Sequence, residues 1–266
     1  MIKMIATDID GTILKDGLNF SPKMKACIKT LQNAGVKIVL VTGRMHCATV
    51  PVAKALGLCA PIISYQGGLI KDFENNTLYQ KNLDSKIAKE IIEWARKGDI
   101  HINLYLDDKL YVEKDNDAVK TYTNGKFIDY TVCNFDNLTI ENVNKILAID
   151  YSNADRVTNW VNELKIKYPN LYIVKSTPYF CEIGCNEAKK SLGVDFLCKM
   201  WGFNKEEVLT IGDQNNDIDL VQCGGIGVAM GNGTPELKEC ADFITDTVEN
   251  DGFVKAVEKF IIPHLE

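Results

Sequence analysis

The N-terminal part of the chain alternates short, almost continuous apolar runs with segments of helical periodicity. The runs at residues 37–41 and 61–65 carry few polar side chains, which is typical of strands buried on both faces of a parallel sheet. Ahead of the first of these runs, Ser21 followed by Pro22 marks a helix start, and apolar residues then recur at helical spacing. With a short first strand at residues 3–7, the order strand, helix, strand, helix, strand predicts a doubly wound α/β fold with a parallel, Rossmann-like sheet.

Residues 83–183 break this alternation. Two strands that flank residues 107–109 predict an antiparallel hairpin, and two amphipathic helices and two further strands complete an α+β pattern. The parallel pattern then resumes, so we expect an inserted α+β module, with residues 1–82 and 184–266 forming one core domain. No linker rich in Gly, Ser or Pro lies near either crossing, which predicts short hinges. The expected strands of the module are 101–106, 110–113, 171–175 and 179–183, its helices are 84–97 and 155–168, and the resumed core strands are 206–211 and 225–230.

Composition and charge narrow the class of protein. The 266 residues carry a net charge of −6, and because nucleic acids and anionic membranes attract basic surfaces, neither is an expected partner. Asp8 and Asp10 interrupt the apolar N-terminus, and no uncharged apolar run approaches the roughly 20 residues of a membrane span. Nine scattered cysteines favour reduced thiols over a disulfide framework. We therefore expect a cytoplasmic protein that binds a small molecule, and the sequence identifies no protein partner.

Polar clusters follow three of the expected core strands. They are residues 8–12 (Asp-Ile-Asp-Gly-Thr), residues 42–44 (Thr-Gly-Arg) and residues 212–217 (Gly-Asp-Gln-Asn-Asn-Asp). Because the carboxyl ends of parallel strands meet at one edge of a sheet, the four aspartates of the first and third clusters are expected to share one cleft. Carboxylates packed together repel, so they require a divalent cation, a shared proton or a nearby lysine, and oxygen ligands favour Mg²⁺. The four are Asp8, Asp10, Asp213 and Asp217.

Two other kinds of site do not fit these residues. A calcium loop that starts at Asp8 would have Ile13 in place of its turn glycine and Asn19 in place of its glutamate ligand. A dinucleotide fingerprint in the glycine-rich segment 224–233 would have Met230 where the third glycine belongs. Taken alone, the first cluster is equally compatible with a solvated turn.

The same clusters resemble, in order and over nearly the full length, the four motifs of the haloacid dehalogenase superfamily. The tail resembles more narrowly the Cof-type phosphatases with a class IIB cap, and the inserted module then corresponds to that cap, which selects the substrate. The motif residues are Asp8, Asp10, Gly11 and Thr12, then Thr42, Gly43 and Arg44, then a lysine ahead of the C-terminal third, then Gly212, Asp213, Asn216 and Asp217; the tail residues are 227–232, 236–238, 241–242 and 250–252.

The resemblance implies a Mg²⁺-dependent phosphatase that hydrolyses small phosphate monoesters, such as sugar phosphates, through an aspartyl-phosphate. Asp8 is the implied nucleophile, and Asp10 is the implied acid for the leaving group and base for water. The implied metal site consists of Asp8, the Asp10 backbone carbonyl and Asp213. Asp217 is implied to support these ligands without binding the ion itself. The implied phosphate-binding residues are Ile9, Thr42, Gly43, Lys190 and Asn216, and Arg44 is a candidate substrate contact.

Two positions depart from the family pattern. Lys189 and Lys190 stand where relatives carry one lysine followed by glycine. Neighbours on a helix point about 100° apart, and matching Val194 and Leu197 to the helix that follows assigns the phosphate-binding role to Lys190. Gln66 stands where the family more often has asparagine, and its contribution to the site stays open.

Two other functions remain compatible with the sequence. A phosphosugar mutase on the same scaffold would keep the aspartyl-phosphate and return the phosphoryl group to a sugar. A phospho-aspartate sensing module would form a long-lived phosphoprotein without turnover, although Asp10, two residues from the nucleophile, favours fast hydrolysis.

Overall fold

The computed structural model describes residues 1–125 and 128–265. Within them the chain divides into two compact units, a core unit formed by Met1–Tyr79 with the segment from Lys189 onward, and an inserted unit, Gln80–Ala188. In chain order the helices and strands are β1 (Met4–Thr7), α1 (Pro22–Asn33), β2 (Lys37–Leu40), α2 (His46–Ala55), β3 (Ile62–Ser64), β4 (Leu69–Lys71), β5 (Thr77–Gln80), α3 (Ser85–Lys97), β6 (His101–Leu106), β7 (Lys109–Val112), α4 (Asp117–Thr123), β8 (Tyr130–Val132), β9 (Val143–Ile149), α5 (Ala154–Lys167), β10 (Leu171–Thr177), β11 (Phe180–Cys185), α6 (Lys190–Trp201), β12 (Val208–Gly212), α7 (Ile218–Cys223), β13 (Ile226–Ala229), α8 (Pro235–Cys240), β14 (Phe243–Ile244) and α9 (Gly252–Phe260).

The core unit is built on a five-stranded parallel sheet in the order β14-β13-β12-β1-β2. Ile5 belongs to the hydrophobic cluster on one face of this sheet, whereas Met4 and Ala6 belong to the cluster on the other face. Two-sided burial is the reason that these strands are apolar along their whole length. The predicted α/β class with a parallel sheet is confirmed.

The strand expected at residues 61–65 is present as β3, but it does not extend the parallel ladder. It pairs antiparallel with β4 in a separate sheet ordered β3-β4-β5, and a single isolated parallel bridge joins Val41 to Ile63. The backbone at Tyr65 and Gln66 is left-handed, with φ of 51° and 58°. This turn sends the chain back along β3 and so forms the antiparallel pair of β3 with β4.

Helix α1 begins where the sequence predicts. The Ser21 side chain accepts a hydrogen bond from the Met24 N–H at 3.0 Å, and Pro22 occupies the first helical position, where its missing N–H costs no hydrogen bond. Gly35, at φ 79°, follows the helix end. The buried residues of the helix are Met24, Cys27, Ile28 and Leu31, at the expected spacing.

The inserted unit is an α+β module with a six-stranded sheet in the order β10-β11-β9-β6-β7-β8. Strands β6 and β7 form the expected antiparallel hairpin through a two-residue turn at Asp107 and Asp108, whose positive φ angles of 50° and 59° suit the twist of a hairpin. Lys109, expected in the turn, instead begins β7. Helices α3 and α5 bury residues such as Ile91 and Leu164 in one cluster with the sheet.

The sequence predicts neither disulfide bonds nor a membrane span. None of the nine cysteines forms a disulfide bond. In the described part of the chain, no helix combines the length and the apolar character that a membrane crossing requires.

Candidate active site

Asp8 and Asp213 stand at the carboxyl ends of two neighbouring strands of the core sheet. Asp8 follows β1 and Asp213 follows β12, and the Asp8 N–H donates to the Ile211 carbonyl at 2.9 Å, continuing the ladder between the two strands. Both carboxylates are buried. Parallel pairing therefore brings together residues that are separated by most of the chain.

Asp217 joins these two carboxylates from the loop after β12. One of its oxygens accepts the backbone N–H groups of Asp213 and Gln214, both at 3.0 Å. Candidate ligand oxygens of Asp8, Asp213 and Asp217 all lie within 4.8 Å of one another. We call these three residues the carboxylate cluster.

Lys190 is the first residue of α6, and its side chain is 1% exposed. Its Nζ donates to Asp8 Oδ1 at 2.6 Å and to Asp217 Oδ1 at 2.5 Å. Burial alone would lower the pKa of Lys190, but the charges of Asp217 and Asp8 outweigh burial, so the pKa lies above its ordinary value and the ammonium stays charged. Lys189, by contrast, is exposed.

The carboxylates respond to the same environment in the opposite direction. Burial, reinforced by the charge of Asp217, raises the pKa of Asp8 although Lys190 opposes this. Burial also raises the pKa of Asp213, against hydrogen bonds donated to it by Gln214 and Thr12. The ionised cluster is therefore short of positive charge.

The carboxylate cluster fits a divalent cation. It offers only oxygen donors, which are the ligands that Mg²⁺ prefers, and Lys190 contacts two of its three buried carboxylates. A divalent cation would balance the remaining negative charge. This residue set could hold such an ion.

Gly11 allows the first loop to approach Asp213 closely. A Cβ at this position would lie 2.3 Å from Asp213 Oδ2, and the backbone φ of +83° lies in the region that glycine tolerates best. The neighbouring Thr12 hydroxyl donates to Asp213 Oδ1 at 2.9 Å. Contact with Asp213 therefore accounts for both residues: Gly11 leaves space for its carboxylate, and the Thr12 hydroxyl donates a hydrogen bond to it.

Gln66 connects the second loop to the last one. Its N–H donates to the Thr42 carbonyl at 2.9 Å, and its side-chain oxygen accepts from Asn216 Nδ2 at 3.3 Å. Gly43 packs against it, since a Cβ on Gly43 would lie 2.6 Å from Gln66 Nε2. The Gln66 side chain, whose role the sequence left open, thus contacts Gly43 and Asn216, while the backbone of the same residue binds Thr42. The glycine pair that follows Gln66 is the sequence signal of this tight turn.

Asp10, Arg44 and Ile9 lie outside the carboxylate cluster. The Asp10 side chain is 58% exposed, and both of its oxygens are bound by Arg44. The Ile9 side chain is fully buried in the hydrophobic core, so only its backbone is available to a ligand.

Comparison with known proteins agrees with this geometry. Residues 5–257 match the family model of the haloacid dehalogenase-like hydrolases. A 5-amino-6-(5-phospho-D-ribitylamino)uracil phosphatase of Bacillus subtilis is 29% identical over 98% of this chain and 96% of its own length. A phosphoglycolate phosphatase of Saccharolobus solfataricus is 30% identical over the same shares of the two chains.

Solved structures give the same result. A haloacid dehalogenase-like hydrolase of Bacteroides thetaiotaomicron superposes with a TM-score of 0.88 at 28% identity, covering 97% of this chain and 99% of its own. A sugar phosphatase described as HAD subclass IIB shares the fold, with a TM-score of 0.82 at 21% identity over 97% and 98% of the two chains.

The chain therefore belongs to the haloacid dehalogenase-like hydrolases. The expected superfamily is confirmed, and the neighbour described as HAD subclass IIB shares the fold of this chain. The relatives support a hydrolase that acts on phosphate monoesters.

Proposed function

We propose that the chain is a Mg²⁺-dependent phosphatase that hydrolyses small phosphorylated metabolites through an aspartyl-phosphate on Asp8. The observation that carries the proposal is the buried contact between Asp8 Oδ1 and Lys190 Nζ at 2.6 Å, inside the carboxylate cluster. Lys190 fixes one oxygen of Asp8, and among the described residues no donor contacts the other. That second oxygen is the proposed nucleophile.

The reaction has two displacement steps. In the first, an Asp8 oxygen bonds to phosphorus while the ester P–O bond breaks, and the leaving oxygen keeps the electron pair and takes a proton from the Asp10 carboxyl. In the second, a water oxygen bonds to phosphorus, its proton passes to Asp10, and the bond between phosphorus and Asp8 breaks. Phosphate is released and Asp8 returns as a carboxylate.

Fixed donors stabilise the charge that spreads over the phosphoryl oxygens. We assign this role to Lys190, the Thr42 hydroxyl, the backbone at Ile9 and Gly43, and Asn216. The Gln66 bridge supports the assignment, because it holds Asn216 near the Thr42–Gly43 loop.

Asp8, Asp213 and the Asp10 backbone carbonyl would hold Mg²⁺, with Asp217 orienting Lys190 and the loop of Asp213. When bound, the ion would neutralise charge on the phosphoryl group. The oxygen-only donor set supports Mg²⁺ over softer transition metals.

The substrate is proposed only as a class, sugar phosphates or similar metabolites. The relatives at 29% and 30% identity are named for chemically different substrates, a ribitylaminouracil phosphate and phosphoglycolate, so neither name transfers to this chain. We propose the inserted unit as the cap that selects the leaving group. Nine cysteines that form no disulfide bond are compatible with the cytoplasmic location that the sequence predicts.

The test is release of inorganic phosphate, with Mg²⁺ present, from a panel of phosphate monoesters. The panel contains p-nitrophenyl phosphate and several sugar and polyol phosphates, which are alkyl phosphates. Asp8→Asn should abolish release because the amide is not nucleophilic, while Asp155→Asn, an exposed position on α5, should behave like the wild type. A mutase would produce an isomer with little free phosphate, and a sensing module would accumulate phosphoprotein. Full activity of Asp8→Asn would refute the proposed nucleophile.

A further inference from the structure

Arg44 binds the Asp10 carboxylate with two hydrogen bonds. Its Nε donates to Asp10 Oδ2 at 2.7 Å, and its Nη2 donates to Asp10 Oδ1. This is the bidentate arrangement for which a guanidinium is suited and an ammonium is not. Both oxygens are held at once, so the pair fixes the position of the carboxylate and also its rotation.

The two partners are anchored in neighbouring loops. The Arg44 N–H donates to the Thr42 hydroxyl at 3.1 Å, and its carbonyl accepts from the Tyr65 N–H at 3.0 Å. Asp10 forms an isolated bridge with Leu14 in the loop after β1. The ion pair therefore connects the loop of the proposed nucleophile with the loop proposed to bind phosphate.

The ion pair contributes little to folding. The side chains are 58% exposed at Asp10 and 30% exposed at Arg44, and solvent screens the attraction in exposed pairs, so they stabilise the folded state only slightly. Its effect is on the conformation of Asp10, because an exposed aspartate without a partner samples several rotamers. Each carboxylate oxygen that accepts one hydrogen bond keeps a further lone pair, so the pair leaves room for a proton.

We infer that Arg44 is a positioning residue that holds Asp10 in the orientation from which it protonates the leaving group. The inference rests on the proposed function, since it assigns Asp10 the proton transfer described above. Arg44 acts here through Asp10, and this differs from a direct contact between Arg44 and the substrate. The two roles make different predictions about the leaving group.

The leaving group separates the roles because only poor leaving groups need the proton. An alkyl oxygen departs with difficulty as an anion, whereas p-nitrophenolate departs without protonation. General acid catalysis contributes about 10²- to 10⁴-fold, so Arg44→Met should lower kcat/KM for an alkyl phosphate by about 10²-fold. The value of kcat/KM for p-nitrophenyl phosphate should change by less than about threefold. This constant covers only the steps up to formation of the phosphoenzyme, and in those steps p-nitrophenolate departs without a proton from Asp10.

The experiment measures kcat/KM of the full chain with p-nitrophenyl phosphate and with the best alkyl phosphate of the panel above. The variants are Arg44→Met, Arg44→Lys and, as a control, Lys255→Met, which breaks a partly exposed ion pair with Asp246 in the core unit. Arg44→Lys can hold only one oxygen at a time, so its alkyl activity should lie between those of the wild type and Arg44→Met. The control should match the wild type with both substrates.

A double variant checks that the effect passes through Asp10. Once Asp10→Asn has removed the acid, adding Arg44→Met should change the residual alkyl kcat/KM by less than about threefold, since the two residues act as a unit. An additive loss, an equal loss with both substrates, or no loss with the alkyl phosphate would each overturn the inference. If the wild type releases no phosphate, or Asp8→Asn remains active, the proposed function fails instead.

Discussion

Lys190 and Lys189 are adjacent in sequence, yet the structure gives their side chains opposite environments. Lys190 is 1% exposed and contacts two buried carboxylates, whereas Lys189 is exposed ahead of the same helix. We expect Lys190→Ala to lower kcat/KM by about 10²-fold or more, because it removes a fixed donor from the phosphoryl group and from Asp8. Lys189→Ala should change kcat/KM by less than about twofold, as for a solvated lysine.

The stability of the two variants should differ as well. Removing one partner from a buried ion pair costs about 3–5 kcal/mol, because it leaves a buried charge without compensation, and Lys190 serves both Asp8 and Asp217. Lys190→Met retains most of the aliphatic stem, so comparing it with Lys190→Ala separates the loss of charge from the loss of packing. A change in solvated Lys189 should stay within about 0.5 kcal/mol.

The assay pairs urea unfolding with steady-state kinetics on one accepted monoester, for both lysines side by side. Far-ultraviolet circular dichroism confirms that each variant is folded before its activity is compared. If Lys189→Ala proves to be the impaired variant, or if Lys190→Met turns over like the wild type, the assignment of the lysine is wrong by one residue.

Four further outcomes are expected. Chelation by EDTA should abolish phosphate release and Mg²⁺ should restore it, whereas Ca²⁺ should support it poorly because its coordination is larger and looser; full activity in chelator would exclude the metal. Because the pKa of Asp213 is raised, the native state retains a proton that the unfolded chain has lost, so metal-free wild type should lose unfolding free energy relative to Asp213→Asn as the pH rises above about 4, the ordinary value of an aspartate; a flat difference in urea unfolding would contradict this. Gln66→Ala should lower kcat/KM by about three- to tenfold through loss of the bond to Asn216, and Gln66→Asn, which tolerates the left-handed backbone, should still fold. A thiol reagent should label exposed Cys59 in the native protein but reach Cys181, whose pKa burial raises to about 12, only after unfolding, as peptide mapping would show.

The sequence predicts the position of the carboxylate cluster because the rule behind it is simple. Strands β1 and β12 are parallel neighbours in register, with Thr7 opposite Ile211, so the residues that follow them must meet at one edge. Burial of both sheet faces makes the strands recognisable as apolar runs. Asp8 and Asp213 are the residues that directly follow these two strands, so their places at that edge can be read from the sequence.

The turn after β3 and the contact between Asp10 and Arg44 depend on backbone and side-chain conformations that cannot be predicted from the residue types. Tyr65 and Gln66 adopt positive φ, which is uncommon for non-glycine residues, and this turn both pairs β3 with β4 and brings Gln66 within hydrogen-bond distance of Asn216. The contact between Asp10 and Arg44 was missed for a similar reason. Both residues belong to motifs, but their meeting depends on side-chain rotamers.

The division of the chain into two units has a consequence for how proteins of this kind can diverge. Every residue of the carboxylate cluster, with Lys190 and the Gln66 bridge, is encoded in the core unit, in the two stretches of chain on either side of Gln80–Ala188. Substitutions, insertions or deletions within the inserted unit can therefore accumulate without altering the hydrogen bonds that assemble the carboxylates. Given the proposed role of the inserted unit, a lineage could exchange one substrate preference for another by changes in that middle segment, while selection on the reacting groups stays confined to the flanking stretches.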